Sequence, residues 1–138
     1  MKRGIRNVAI AGLLWVSAGL GAQGTSEPLS GLSLAPGMKR TADAIQTYRF
    51  CGKSASIALY LATFPDLDHE VAWYTHAMPG AAIFNADTGI RTFISKDGTA
   101  AVEAADAFVS YFRFSPGLSP AEMKILGAAP AARDCTAD

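Results

Sequence analysis

The stretch TAAVEAADAFVSYFRF, residues 99–114, decides how the chain is read. Apolar residues recur at positions 101, 102, 105, 108, 109 and 112. That is the i, i+3, i+4, i+7 spacing of one helical face. Glu103, Asp106, Ser110 and Arg113 take the other face, with the acids early and Arg113 late, as a helix dipole favours. The spacing predicts a helix over Thr99 to Phe112. The competing reading is a strand over Phe108 to Phe114, where the aromatic residues also alternate.

Upstream of this stretch the period is two. Gln46 to Cys51, Ser56 to Leu61, Glu70 to Thr75, Ala81 to Phe84 and Ile90 to Ile94 read as short strands. Between them lie breakers: a polar turn from Pro65 to His69, then Met78-Pro79-Gly80, Asp87-Thr88-Gly89 and Lys96-Asp97-Gly98. This punctuation predicts an antiparallel meander. Downstream, Ser119-Pro120-Ala121-Glu122 is a capping box with proline at the first helical position, so a short helix should run from there to about Gly127. The expected fold class is α+β, a small antiparallel sheet with one or two C-terminal helices. An all-β barrel is the alternative.

The N-terminus reads as an export signal. Lys2, Arg3 and Arg6 precede 13 uncharged residues, Val8 to Leu20, and small residues follow at Gly21 and Ala22. That run is too short for a membrane span, which needs about 20 apolar residues. Residues 1–22 are therefore expected to be a cleaved signal peptide, leaving no membrane anchor. Residues 23–40, with Pro28, Pro36, Gly24 and Gly31, read as a flexible segment, and 41–138 as one small domain. Loss of the leader leaves nine basic residues against 12 acidic ones, a formal net charge of −3. A mildly acidic chain without clustered cations is a poor fit to nucleic acid. The expected location is periplasmic or secreted. There, Cys51 and Cys135 are expected to form an internal disulfide. Free thiols or an intermolecular link are the other possibilities.

Catalytic patterns fail on inspection. Asp66, Asp68, His69, Glu70 and His76 crowd into 11 residues, but the His-Glu pair is followed at position 73 by Trp, so no zincin motif forms. If the segment is a strand, the two histidines face opposite sides. Ser54, Ser56, Ser95 and Ser110 lie in no nucleophile elbow. Gly52-Lys53-Ser54 resembles the end of a P-loop, but Thr47 stands where its first glycine belongs. No enzyme activity, cofactor or metal is expected. The aromatic residues Trp73, Tyr74, Phe84, Phe93, Phe108, Tyr111, Phe112 and Phe114 read as core, or as an interface where exposed.

One resemblance bears on function. Gly80-Ala81-Ala82-Ile83-Phe84, Phe93-Ile94-Ser95-Lys96-Asp97-Gly98 and Ala101-Val102-Glu103, with Tyr48-Arg49-Phe50-Cys51 upstream, resemble the core of the bacterial C-type lysozyme inhibitors over about 55 residues. Members of that family are small exported barrels that insert a Ser and a Lys from two loops into the lysozyme cleft. Pro79 stands at the position of the Ser, so Lys96 alone carries over as the inserted cation, with Gly80 and Phe84 as companion binding residues. The resemblance implies an exported binding protein that acts by protein–protein contact, with a lysozyme as partner. The alternative is an accessory or assembly subunit of a periplasmic enzyme complex, with exposed apolar aromatics forming its interface.

Overall fold

The computed structural model describes residues 25–41, 46–87, 89–105, 107–128 and Cys135. The expected signal peptide lies outside the described residues. In chain order the elements are β1 (Thr25–Ser26), β2 (Ser33–Leu34), β3 (Lys39–Arg40), β4 (Gln46–Phe50), β5 (Lys53–Leu61), α1 (Leu67–Ala77), β6 (Ala82–Asp87), β7 (Ile90–Ile94), β8 (Ala100–Ala105), β9 (Phe108–Ser115) and α2 (Pro120–Leu126). Seven strands form one antiparallel sheet in the order β3-β5-β9-β8-β7-β6, with β4 beside β3 along the same edge of β5. The sheet is open, so the barrel alternative is set aside. The meander is present as β6 to β9.

The helix expected over 99–112 is replaced by the hairpin β8–β9, and the competing strand reading is the one realised. Helices cover both faces of the sheet, so its central strands are apolar on both sides and lose the alternation that marks a half-buried strand. Val102, Ala104, Val109 and Tyr111 enter one core with α1. Ala101, Phe112 and Phe114 enter the other with α2. An alanine-rich strand apolar on both sides produces a helical spacing by accident. Long-range pairing then outweighs the helix propensity of alanine: β9 runs against β5 for eight residues, from Phe108↔Leu61 to Ser115↔Ser54.

The reverse correction applies at 67–77, where the sequence predicts a polar turn and a strand. Asp66 is an N-cap whose carboxylate accepts from the His69 backbone N–H at 2.9 Å, and Asp68 and Glu70 occupy the first turn. Leu67, Glu70, Val71, Tyr74 and Met78 then fall on the inner side at helical spacing. Thus one helix is C-terminal and the other lies between β5 and β6. At α2 the capping box forms as expected: Ser119 Oγ accepts from Glu122 N at 3.2 Å, and Glu122 accepts from Ser119 N at 2.8 Å. Gly127 ends this helix against Phe84, where a Cβ would run into the ring.

The described part of the segment expected to be flexible, 25–40, packs into the core. Leu29, Leu32, Leu34, Ala35 and Met38 lie against the α1 side of the sheet, and Glu27 is fully buried. Glu27 accepts from Ser30 N and Ser30 Oγ, both at 2.7 Å, and from Tyr60 Oη at 2.8 Å. Burial, reinforced by Glu27, pushes the Tyr60 phenol up to about 12. Beside it, the Tyr74 and Tyr111 hydroxyls lie 2.6 Å apart, and Tyr111 donates to the Ser33 carbonyl at 2.9 Å. These bonds fasten residues 25–35 to the sheet.

The Cys51–Cys135 disulfide is present with a separation of 84 positions. Cys51 and Gly52 both have positive φ, the signature of a two-residue type I′ hairpin turn, here joining β4 to β5. Among the described residues no helix is long and apolar enough to cross a membrane.

Both tethers can be tested by unfolding. Reducing the disulfide should cost roughly 4–5 kcal/mol at most in urea unfolding, the entropy of a loop this long. Tyr60→Phe should cost about 1.5–3 kcal/mol in the same assay, because it removes a hydrogen bond to a buried carboxylate. It should also make the chain near residues 27–35 more sensitive to protease.

Candidate binding surface

The turn between β7 and β8 carries Lys96, and its stiffness comes from the neighbouring acid. Asp97 Oδ1 accepts from Ser95 Oγ at 2.8 Å, Thr99 N at 3.0 Å and Thr99 Oγ1 at 2.7 Å. Ser95 Oγ in turn accepts from Ala100 N at 3.1 Å, and Gly98 N donates to Ser95 O at 2.9 Å. Gly98 has φ +75, and a Cβ there would strike the Leu118 backbone, so glycine is required. The donors on Asp97, led by the Thr99 backbone N–H, hold its carboxyl down at about 2.

Lys96 is exposed and has no hydrogen-bond or ion-pair partner among the described residues. Its side chain passes over Gly80, where a Cβ would lie 3.6 Å from Lys96 Cε and 4.0 Å from Nζ. Gly80 has φ +82 in the turn that follows α1, closed by Ala81 N donating to Met78 O at 3.2 Å. Lys96 and Gly80 thus lie together. Phe84 does not join them; it packs on the opposite face of the sheet, against α2.

Beside Lys96 is a recess of about 250 Å³. Its walls are Gly31, Leu32 and Ser33 at the start of β2, Ala77, Met78 and Pro79 at the end of α1, Ala81, and Ser95 with Lys96. The sequence points to one wall of it, the Lys96 turn. The 31–33 wall belongs to the segment expected to be flexible, and the 77–79 wall ends a helix where the sequence predicts a strand over Glu70 to Thr75 and then a breaker at Met78-Pro79-Gly80.

The other sequence candidates are accounted for by structure. His69 pairs with Asp66 at 2.7 Å as part of the α1 cap. His76 lies two turns further along the same helix, about 10 Å away along its axis, and not on the opposite side as a strand would place it. Glu70 faces the core. Among the described residues no three metal-binding side chains come together. Lys53 of the P-loop-like triplet is held by Glu122 Oε1 at 2.5 Å and the Gly117 carbonyl at 2.7 Å.

No protein-family model, curated protein or solved structure matches this chain. Its site must therefore be read from its own geometry. A second surface feature belongs in that reading. Leu59, Leu61 and Phe108 are exposed, and Phe108 is paired with Leu61 across β9 and β5. Strand parity with Ile57 and Phe112 puts all three on the α2 side of the sheet, beyond α2. Of the aromatic residues considered from sequence, Phe108 is the one exposed; the others pack inward or are part-buried.

The low Asp97 value sets a pH window. A carboxyl depressed on folding adds stability above its unfolded value, near 4, and loses it as pH falls through about 2. An NMR titration of the Asp97 side chain should show a midpoint near 2. The protection of the Thr99 amide, relative to its intrinsic exchange rate at each pH, should fall as that midpoint is approached from above. A midpoint near 4 would show that the turn is not clamped as described.

Proposed function

We propose that this domain is an exported binding protein that acts by protein–protein contact and presents Lys96 to an acidic group of its partner. The observation that carries the reading is an exposed lysine, without a partner among the described residues, on a turn braced by the Asp97 carboxylate. Lys53, by contrast, is bound at both its contacts. A lysine whose turn is fixed, and whose ammonium has no carboxylate partner among the described residues, is suited to meet one on another molecule; only its own side chain then has to be ordered on docking.

The resemblance to C-type lysozyme inhibitors names a partner class, since a lysozyme cleft is acidic while the enzyme is basic. The chain expected after export carries a net −3, which favours encounter with a basic body. A periplasmic or secreted location accords with the disulfide.

A second reading, an accessory subunit of a periplasmic enzyme complex, is favoured by the exposed Leu59, Leu61 and Phe108. Such a patch is the ordinary mark of a subunit interface.

The test is inhibition of a C-type lysozyme by the exported chain, alongside capture of partners from periplasmic extract. Lys96→Ala should weaken inhibition at least tenfold, and added salt should weaken the wild type. Unchanged inhibition in Lys96→Ala removes the role given to that lysine. Loss of capture in Phe108→Ser, with Lys96→Ala behaving as wild type, moves the interface to the apolar patch.

A further inference from the structure

We infer that the recess beside Lys96 is a carboxylate-binding site that takes a single carboxylate on a short apolar stem. The inference rests on the contact reading above and names the chemistry of the group received.

The charge at the site is one ammonium. Lys96 Nζ has no partner among the described residues, and the acid next to it in sequence, Asp97, has Oδ1 committed to three donors inside its own turn. The end of α1 also borders the recess and opposes an anion with about half a negative charge. That end is partly satisfied, because Met78 N–H donates to Tyr74 O at 2.9 Å and Met78 O accepts from Ala81 N. A full positive charge against about half a negative one leaves a balance that suits a monoanion. Phosphate, with nearly twice the charge, is ordinarily held by several N–H donors or a guanidinium, and the recess is lined by no arginine.

The walls match a stem. Leu32, Met78, Pro79 and Ala81 are apolar, and a space of about 250 Å³ holds on the order of ten heavy atoms, enough for a carboxylate and its stem but small for a cofactor. Ser33 also lines the recess; its hydroxyl has no partner among the described residues, and its backbone is fixed by the Tyr111 bond to its carbonyl. Lys96 and Ser33 both stand on segments whose backbones are anchored, so the frame of the recess is in place before a ligand enters. The group can come from a glutamate side chain of a partner protein or from a free short-chain acid; both offer the same head and stem.

The experiment is an amide NMR titration of the exported chain with sodium propionate, with a glutamate blocked at its amino and α-carboxyl ends, and with inorganic phosphate, at constant ionic strength. Saturable shifts confined to residues 31–33, 77–81 and 95–98 are expected with both carboxylates, and at least tenfold weaker binding in Lys96→Gln. Lys124→Gln, on α2, should bind as wild type. Tighter binding of the blocked glutamate assigns the site to a partner's side chain, and tighter binding of propionate to a free acid. Shifts that do not saturate, that persist in Lys96→Gln, or that phosphate matches overturn the inference. If Lys96→Ala abolishes partner capture while neither carboxylate moves the spectrum, the recess fails and the contact reading stands. Saturable carboxylate binding with capture unimpaired in Lys96→Ala has the opposite meaning: the recess stands and the contact reading fails.

Discussion

The fold depends on the pairing of β9 with β5. It joins the C-terminal meander to the N-terminal hairpin over eight residues, and it places β9 between two layers. Val109 and Tyr111 point into the α1 core, and Phe112 and Phe114 into the α2 core. Each layer is thin. The α1 side is completed by residues 25–38, and the α2 side by the disulfide and a seven-residue helix. A helix that short has little stability of its own, so it persists because Leu126 and Met123 pack on the sheet and because its capping box satisfies its first turn. The pairing is distant in sequence, since α1 and three strands separate its members, so the chain must close a long loop before either layer can form.

That distance explains which parts of the fold are legible in the sequence. The hairpins β4–β5 and β6–β7 and the α2 cap are local, and their turn and cap residues announce them. The β8–β9 hairpin is not legible, because whether TAAVEAADAFVSYFRF forms helix or strand depends on β5, some 50 positions away. Two-sided burial removes the alternation that would tell the two apart. At α1 two local signals compete. Asp66 followed by Asp68 and Glu70 is a common helix start, while the alternation of Val71, Trp73 and Thr75 imitates a strand, and the capped helix wins. Residues 25–40 mislead for a different reason. Their apolar residues occur singly among Pro, Gly and Ser, and their buried position rests on Glu27 meeting Tyr60, a side-chain pairing that no periodicity signals.

The candidate site divides in the same way. Lys96 and Gly80 are legible because each sits in a turn that its own neighbours specify. The recess between them is not, because its walls come from three segments brought together by the tertiary fold. Phe84 carries over from the family resemblance by sequence position alone, four residues after Gly80. In a strand that spacing says little about which face a side chain takes relative to a preceding turn, and the end of α2 claims the ring.

The stabilising contacts and the proposed contact residue are kept apart, and this separation is what gives the lysine its meaning. The acids at the β7–β8 turn and at the α2 start are tied down: Asp97 by Ser95 and Thr99, Glu122 by Lys53 and Ser119. If Lys96 served only the fold, a carboxylate would be the natural partner, and Asp97 is adjacent in sequence. Instead Asp97 is turned toward hydroxyl and amide donors that carry no charge. This fixes the turn without neutralising the lysine. A surface cation left in that state contributes little to folding. Its place beside a recess, rather than any contact that holds the fold together, is what the proposed contact role draws on.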